Sequence, residues 1–202
     1  MVAEGKKTVE ERDQPVRVVM ADMTANPAPL GLCAFGSTTI LLNIHNAGFY
    51  PLDAMILAMG IFYGGLAQVM AGVMEWRKGN SFGTTAFTSY GLFWLSLAGI
   101  FIIPSLELGV TPGAGAMATY LAIWGGFTAV LFIGTLRLGR GLQVVFASLT
   151  ILFLLLAVAN GWNNPVVLKI AGYEGIFCGV AAVYVGLGQL LNEIYGRTVA
   201  PV

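Results

Sequence analysis

The side chains that could do chemistry in this sequence are mostly neutral and polar, and they lie inside apolar stretches. Residues 26–46, NPAPLGLCAFGSTTILLNIHN, carry two adjacent threonines and three asparagines within a largely apolar run. At 100° per residue, Phe35, Thr39 and Asn43 fall within about 80° of one another on a helix. Such a face meets protein or water, although hydroxyls in membrane helices also bond to their own backbone or to a neighbouring helix.

Other hydroxyl and amide side chains lie in the later apolar stretches. They are Gln68, Thr84, Thr85, Thr88, Ser89, Ser96, Ser148, Thr150 and Gln189, and they add to Thr38 and Thr39 of the first stretch. No Asp, Glu, Lys or Arg lies near the middle of any apolar stretch, so the pattern offers neither a metal site nor an obvious carboxylate proton relay. A path of hydroxyls and amides suits a small anion or a small uncharged polar solute.

Two ionisable residues are candidates for a proton-linked role. Glu174 comes closest to an intramembrane position and is a candidate titrating group. His45, the single histidine, lies near the end of the first apolar stretch. It could respond to pH or could simply be an interfacial residue with a satisfied hydrogen bond.

The elements that must position these side chains are six apolar segments. Of the 202 residues, 57% are hydrophobic and 10% charged, and the mean hydropathy is +0.80. Each segment approaches the roughly 20 residues that a helix needs to cross a bilayer. They are residues 28–46, 53–74, 83–103, 115–136, 141–160 and 168–191. The sequence therefore predicts an all-α membrane protein with a disordered cytoplasmic tail (1–25), a six-helix transport domain (26–196) and a short cytoplasmic C-terminus (197–202).

The basic residues lie near the ends of these segments, almost all on one predicted side of the membrane. Nine of the ten lysines and arginines fall on one side, and Lys169 falls on the other. The nine are Lys6, Lys7, Arg12, Arg17, Arg77, Lys78, Arg137, Arg140 and Arg197. By the positive-inside rule both termini are predicted to be cytoplasmic. The zero net charge indicates no nucleic-acid partner.

Weak internal repeats suggest that the six helices form three tandem hairpins. The odd-numbered segments share a small-Phe-x-Ser pattern around Phe35, Phe87 and Phe146, and the even-numbered ones share aromatic-x-Gly-apolar. We expect the hairpins to surround a central pore with pseudo-threefold symmetry. Phe35, Tyr90 and Leu149 each lie about eight residues into their segments, which is roughly 12 Å deep. Three bulky side chains at one level could close a narrow pore or could be ordinary packing residues.

Three sequence motifs resemble the acetate uptake transporter family, most closely its bacterial succinate-acetate permeases. They are NPAPLGL at the first segment, GNSFGTTAFTSYGLFWLS at 79–96 and GRTVAPV at the end. The resemblance implies a homohexamer in the cell membrane, with one pathway per subunit for acetate, succinate and related carboxylates. It also implies a hydrophobic Phe-Tyr-Leu constriction, for which the matching positions are Phe35, Tyr90 and Leu149.

The resulting hypothesis is a membrane transporter or channel for short carboxylates. The substrate oxygens would accept hydrogen bonds from Thr38, Thr39, Asn43, Ser89 and Ser148. Proton coupling stays open at this point, and the alternative is a channel for a neutral solute such as urea or a short amide. An enzyme is not expected, because no segment offers a His-carboxylate cluster, an activated nucleophile or a metal-ligand set. No cofactor is predicted, and the expected partners are the substrate, membrane lipid and further copies of the chain.

Overall fold

A computed structural model describes residues 24–202, so nearly all of the predicted tail at 1–25 lies outside the described residues. Six helices are long and apolar enough to cross a membrane. They are α1 (Ala28–Asn46), α2 (Ala54–Arg77), α3 (Ser81–Ser105), α4 (Ala114–Thr135), α5 (Arg140–Gly161) and α6 (Pro165–Tyr195). The part of the chain from 24 to 202 contains no β-strand. The prediction of an all-α membrane protein with six transmembrane helices is confirmed.

Polar side chains fix where several helices begin. Asp53 accepts two backbone N–H groups at the start of α2, and Asn164 does the same for α6. Asn80 accepts the Gly83 N–H at the start of α3. These side chains satisfy N–H groups that have no partner inside the helix. Gly196, with φ of 61°, ends α6 in a left-handed conformation that glycine adopts without strain.

The second helix is not uniform. Its middle, Gly60–Ala67, is π-helical, between α-helical segments at Ala54–Met59 and Gln68–Arg77. Gly64 allows this segment to approach α1 and α3 closely, because an added Cβ would lie 2.9 Å from the side chains of both Thr38 and Trp94. The widened turn is a local feature that the sequence analysis did not predict.

The six helices form a ring in chain order. The most extensive packing is between α1 and α6, between α2 and α3, and between α4 and α5. Gly36 and Gly179 permit the first of these contacts, because a Cβ on Gly36 would lie 2.5 Å from the Gly179 carbonyl oxygen. The backbones of α3 and α4 are further apart. The predicted hairpins are therefore not the most tightly packed pairs, and their threefold arrangement stays a prediction.

Candidate functional site

A cavity of about 70 Å³ enters the ring at one end. We call this the basic end, because the helix termini there carry Arg77, Arg137, Arg140 and Arg197. Five of the six helices and the α2–α3 turn supply the lining: Ala28, Leu32, Phe35, Gln68, Glu75, Asn80, Phe82, Gly83, Ala86, Phe87, Tyr90, Leu142, Val145, Phe146, Leu149 and Gln189. The volume is enough for several water molecules or a small solute.

The three residues predicted to form a constriction lie together at the inner end of this cavity. Phe35, Tyr90 and Leu149 are 5%, 3% and 3% exposed, and all three line the cavity. The rings of Phe35 and Tyr90 are 5.8 Å apart between centroids. Each residue lies about two turns into its helix, roughly 10–14 Å from the basic end. Three separate helices thus place bulky apolar groups at one depth.

Tyr90 is held in position from the side of α4. Its hydroxyl donates to Thr128 Oγ1 at 2.9 Å, and Thr128 donates in turn to the Trp124 carbonyl at 2.7 Å. The Tyr90 ring also contacts Phe127 and Phe146, with centroid distances of 5.8 and 6.1 Å. The contact with Phe127 bridges the separated backbones of α3 and α4, and the contact with Phe146 reaches α5. The hydroxyl is therefore satisfied, and an apolar ring faces the cavity.

The predicted substrate-binding residues of α1 lie beyond Phe35, further from the basic end. Thr38 and Thr39 donate their hydroxyls to carbonyls four residues earlier, at 2.9 and 2.8 Å. Asn43 donates to the Thr39 carbonyl at 2.9 Å. None of the three lines the cavity. Each hydroxyl has a single proton to donate, so binding a carboxylate would require Thr38 or Thr39 to rotate away from the backbone.

Two other predicted residues are joined by a hydrogen bond. Ser148 Oγ donates to Glu174 Oε1 at 2.5 Å, connecting α5 to α6. The second carboxyl oxygen of Glu174 is buried without a hydrogen-bond partner. Ser89, by contrast, is half-buried and does not line the cavity. Ser148 therefore already donates its single hydroxyl proton to a carboxyl group. It could donate to a substrate only after that hydrogen bond breaks.

His45 contacts the turn that follows α1. Its Nδ1 lies 2.8 Å from the Tyr50 carbonyl oxygen, so Nδ1 carries the proton, because a carbonyl only accepts. The Tyr50 hydroxyl donates to the Leu41 carbonyl at 2.8 Å. Burial and the nearby Asp53 raise the pKa of Tyr50. This geometry matches the interfacial, hydrogen-bonded alternative for His45.

The polar residues of the cavity itself were not among the predicted site residues. Gln68 is 1% exposed and Glu75 3%, and both line the cavity. Glu75 Oε2 accepts a hydrogen bond from Asn80 Nδ2 at 2.7 Å, while Gln68 Oε1 is buried without a partner. Their spacing of seven residues, two turns of helix, was the available signal.

In residues 24–202 no group of three His, Cys, Asp or Glu side chains could hold a metal ion.

Comparison with known proteins gives consistent matches along the chain. The model of the GPR1/FUN34/yaaH family matches residues 10–201. The succinate-acetate/proton symporter SatP of Escherichia coli K12 is 56% identical over 178 residues, which cover 88% of this chain and 95% of that protein. Acetate permease A of Emericella nidulans is 34% identical, with coverage of 91% and 67%. The solved structure of the bacterial acetate channel SatP superposes with a TM-score of 0.88 at 55% identity, covering 89% of this chain and 99% of that one.

Proposed function

The chain belongs to the GPR1/FUN34/yaaH family, and we propose that it moves acetate and related short carboxylates, succinate included, across the cell membrane. The names of its full-length relatives support this substrate class. The chain is a multi-pass membrane protein, so its six helices would enclose the pathway. The relatives named above are transporters and channels, not enzymes.

One observation carries the proposal: Phe35, Tyr90 and Leu149, each about two turns into its helix, all line the cavity that enters from the basic end. We propose that these three side chains form the gate. An apolar constriction blocks polar solutes when it is dry and conducts when its side chains move or water enters. A small carboxylate presents a methyl or methylene group that can contact these side chains, and charged oxygens that need donors on either side.

Orientation and assembly complete the proposal. We place the basic end and both termini in the cytoplasm, because loops rich in lysine and arginine stay on the cytoplasmic side of membrane proteins. Much of α4 is exposed and apolar, including Ile123, Val130 and Ile133. Such a surface is suited to lipid or to neighbouring subunits. We propose a homohexamer with one pathway per subunit, as the family resemblance implies.

Glu174 is the proposed proton-linked group beyond the gate. One of its oxygens accepts from Ser148, and the other has no donor. A carboxyl oxygen without a donor in a low-dielectric region is a place where an added proton would be stabilised. His45 is the second candidate, although its ring already bonds the Tyr50 carbonyl.

Labelled acetate uptake into proteoliposomes tests the proposed function. Uptake is measured with and without an imposed pH gradient, and protein-free liposomes give the leak of acetic acid through lipid. Accumulation above equilibrium only with the gradient indicates a proton-coupled carrier, and fast equilibration without accumulation indicates a channel.

The same assay separates the carboxylate pathway from the neutral-solute alternative. Propionate or formate should compete with acetate, while urea should have no effect. If uptake never exceeds that of protein-free liposomes, the carboxylate proposal is wrong. Protein-dependent urea flux would then support the channel for urea or a short amide.

A further inference from the structure

Ser148 and Glu174 form a hydrogen-bonded pair between α5 and α6 in which one oxygen lacks a donor. Ser148 Oγ donates its single proton to Glu174 Oε1 at 2.5 Å. Glu174 Oε2 is buried without a hydrogen-bond partner. Buried polar atoms in folded proteins nearly always have partners. The orphan carboxyl oxygen therefore marks a place where an added proton and a ligand can complete the hydrogen bonding.

The pair lies on the inner side of the helix ring, next to the proposed gate. Ser148 directly precedes Leu149 in α5, about 1.5 Å from it along the helix axis. On α6, positions 174, 178, 182, 185 and 189 fall within about 80° of one another. The last of these is Gln189, which lines the cavity, and the three before it are buried. A substrate that passes Leu149 therefore comes close to the pair.

The other groups of α6 leave Glu174 without a compensating charge. Cys178, one turn nearer the basic end, is fully buried, and its thiol donates to the Val145 carbonyl at 3.7 Å. Lys169, five residues before Glu174, is exposed and lies about 140° around the helix from it. Neither side chain donates to the free carboxyl oxygen.

The helices packed against α6 are α1 and α5, and they present neutral groups to the pair. On α1, the Asn43 side chain lies against α6. His45, two residues later, lies about 160° away from it around α1 and bonds the turn after that helix. Arg140 is the charged residue of α5 and lies about 12 Å before Ser148 along the axis. Within the described part of the chain, an ionised carboxylate in the pair thus faces amide and hydroxyl groups rather than a cation.

The number of protons on the pair decides what it can offer a carboxylate anion. With Glu174 ionised, the pair holds one proton, which lies in the hydrogen bond from Ser148. The pair then presents only lone pairs and a negative charge, which repels an anion. One added proton neutralises that charge and gives the pair two protons. One of them stays in the hydrogen bond between the two side chains, and the other is available to a substrate oxygen.

We infer that Ser148 and Glu174 form a binding site that takes up the substrate carboxylate together with one proton. The added proton neutralises Glu174, and the free donor, Glu174 Oε2 or Ser148 Oγ, bonds a substrate oxygen. Proton and substrate therefore raise each other's affinity by the same factor. This inference rests on the proposed carboxylate transport, and it gives the proposed proton-linked role of Glu174 a partner and a ligand.

Glu174→Gln tests the uptake of the proton. Gln accepts the Ser148 hydrogen bond with its oxygen and offers N–H donors to the substrate, so it imitates the protonated acid at every pH. Initial rates of labelled acetate uptake into proteoliposomes are measured at low acetate concentration, with equal pH on both sides. The pH runs from about 6 to 9, where acetate is almost wholly ionised, and the leak into protein-free liposomes is subtracted. Glu193→Gln, the same change at an exposed position of α6, is the matched control.

We expect uptake by wild-type and Glu193→Gln protein to fall by up to about tenfold per pH unit once Glu174 is ionised, because one proton must bind with each substrate. Uptake by Glu174→Gln should change by less than about twofold over the same range. A wild-type rate that does not change with pH would overturn the inference, and so would an undiminished fall in Glu174→Gln, since the proton would then bind elsewhere. Both outcomes leave carboxylate transport intact, whereas the absence of protein-dependent uptake in the wild type would refute the proposed function.

Ser148→Ala provides a second test that does not depend on the Glu174 variant folding. It removes the hydroxyl from the pair and leaves the carboxyl group in place. We expect the half-saturating acetate concentration at about pH 6 to rise roughly threefold to tenfold, as for one lost hydrogen bond. Thr150→Val is the control, because the Thr150 hydroxyl donates to its own helix at the Phe146 carbonyl. An unchanged half-saturating concentration in Ser148→Ala, or an equal rise in Thr150→Val, would contradict the role of Ser148.

Discussion

Shortening Leu149 tests the gate most directly. Leu149→Ala removes three carbons from a side chain that is almost completely buried at the inner end of the cavity. A constriction that just passes a two-carbon acid must exclude each further methylene by overlap with these side chains. Accommodating one methylene in an apolar site is worth about 10–200-fold in discrimination. We therefore expect the uptake of propionate, which is one methylene longer, to rise relative to acetate by roughly that factor in the variant.

The assay measures the uptake of formate, acetate, propionate and butyrate by proteoliposomes, each acid in a separate experiment. The leak through protein-free liposomes is subtracted. Leu152→Ala is the matched control, because Leu152 is also 3% exposed on α5 but does not line the cavity. Both changes should destabilise the protein by about 2–5 kcal/mol, with Leu149 at the lower end because it borders open space. Only Leu149→Ala should alter the ranking of the acids.

Unchanged selectivity in a folded Leu149→Ala protein would refute the gate assignment. An equal change in Leu152→Ala would also refute it, because the effect would then come from general loosening of α5. Size-exclusion chromatography and circular dichroism in detergent establish that both variants are folded.

Two further predictions concern contacts that hold the pathway in shape. Thr128→Val should lower the free energy of unfolding by about 1–3 kcal/mol, because the buried Tyr90 hydroxyl loses its acceptor. Thermal unfolding in detergent measures this loss. Adding Tyr90→Phe to the Thr128→Val protein should recover part of it. An unchanged melting temperature in Thr128→Val would show that the bond contributes nothing. Gly175→Ala should destabilise by about 1–3 kcal/mol, because its Cβ would overlap the Asn43 side chain. Gly126→Ala, with no atom within 4 Å of the new Cβ, is the control, and equal effects of the two would contradict the packing argument.

The number and type of the helices could be predicted because hydropathy and length report directly on membrane crossing. The predicted segment 28–46 coincides with α1. The last segment was predicted as 168–191, whereas α6 runs from Pro165 to Tyr195. The three residues added at its start follow the Asn164 cap, and the four added at its end, 192–195, extend to the stop at Gly196. An apolar window reports neither a cap nor a polar last turn.

The candidate site was predictable only in part. The depth of Phe35, Tyr90 and Leu149 followed from counting residues along three segments, and the structure brings them to one cavity. The hydrogen-bond partners of Thr38 and Thr39 could not be predicted, because a hydroxyl in a helix chooses between its own backbone and a neighbour by local geometry. Glu75 was missed because the predicted second segment ended one residue before it, which placed it among interfacial residues.

The π-helical stretch Gly60–Ala67 determines the direction in which the later half of α2 points. Each π-helical turn contains one residue more than an α-helical turn, and one residue corresponds to about 100° of rotation around the axis. The two halves of α2 are therefore out of angular phase with each other. Deleting one residue there would turn Gln68 and Glu75 by about 100° without altering either side chain. Whether their oxygens face the cavity thus depends on how many residues precede them in the helix as much as on their own identity.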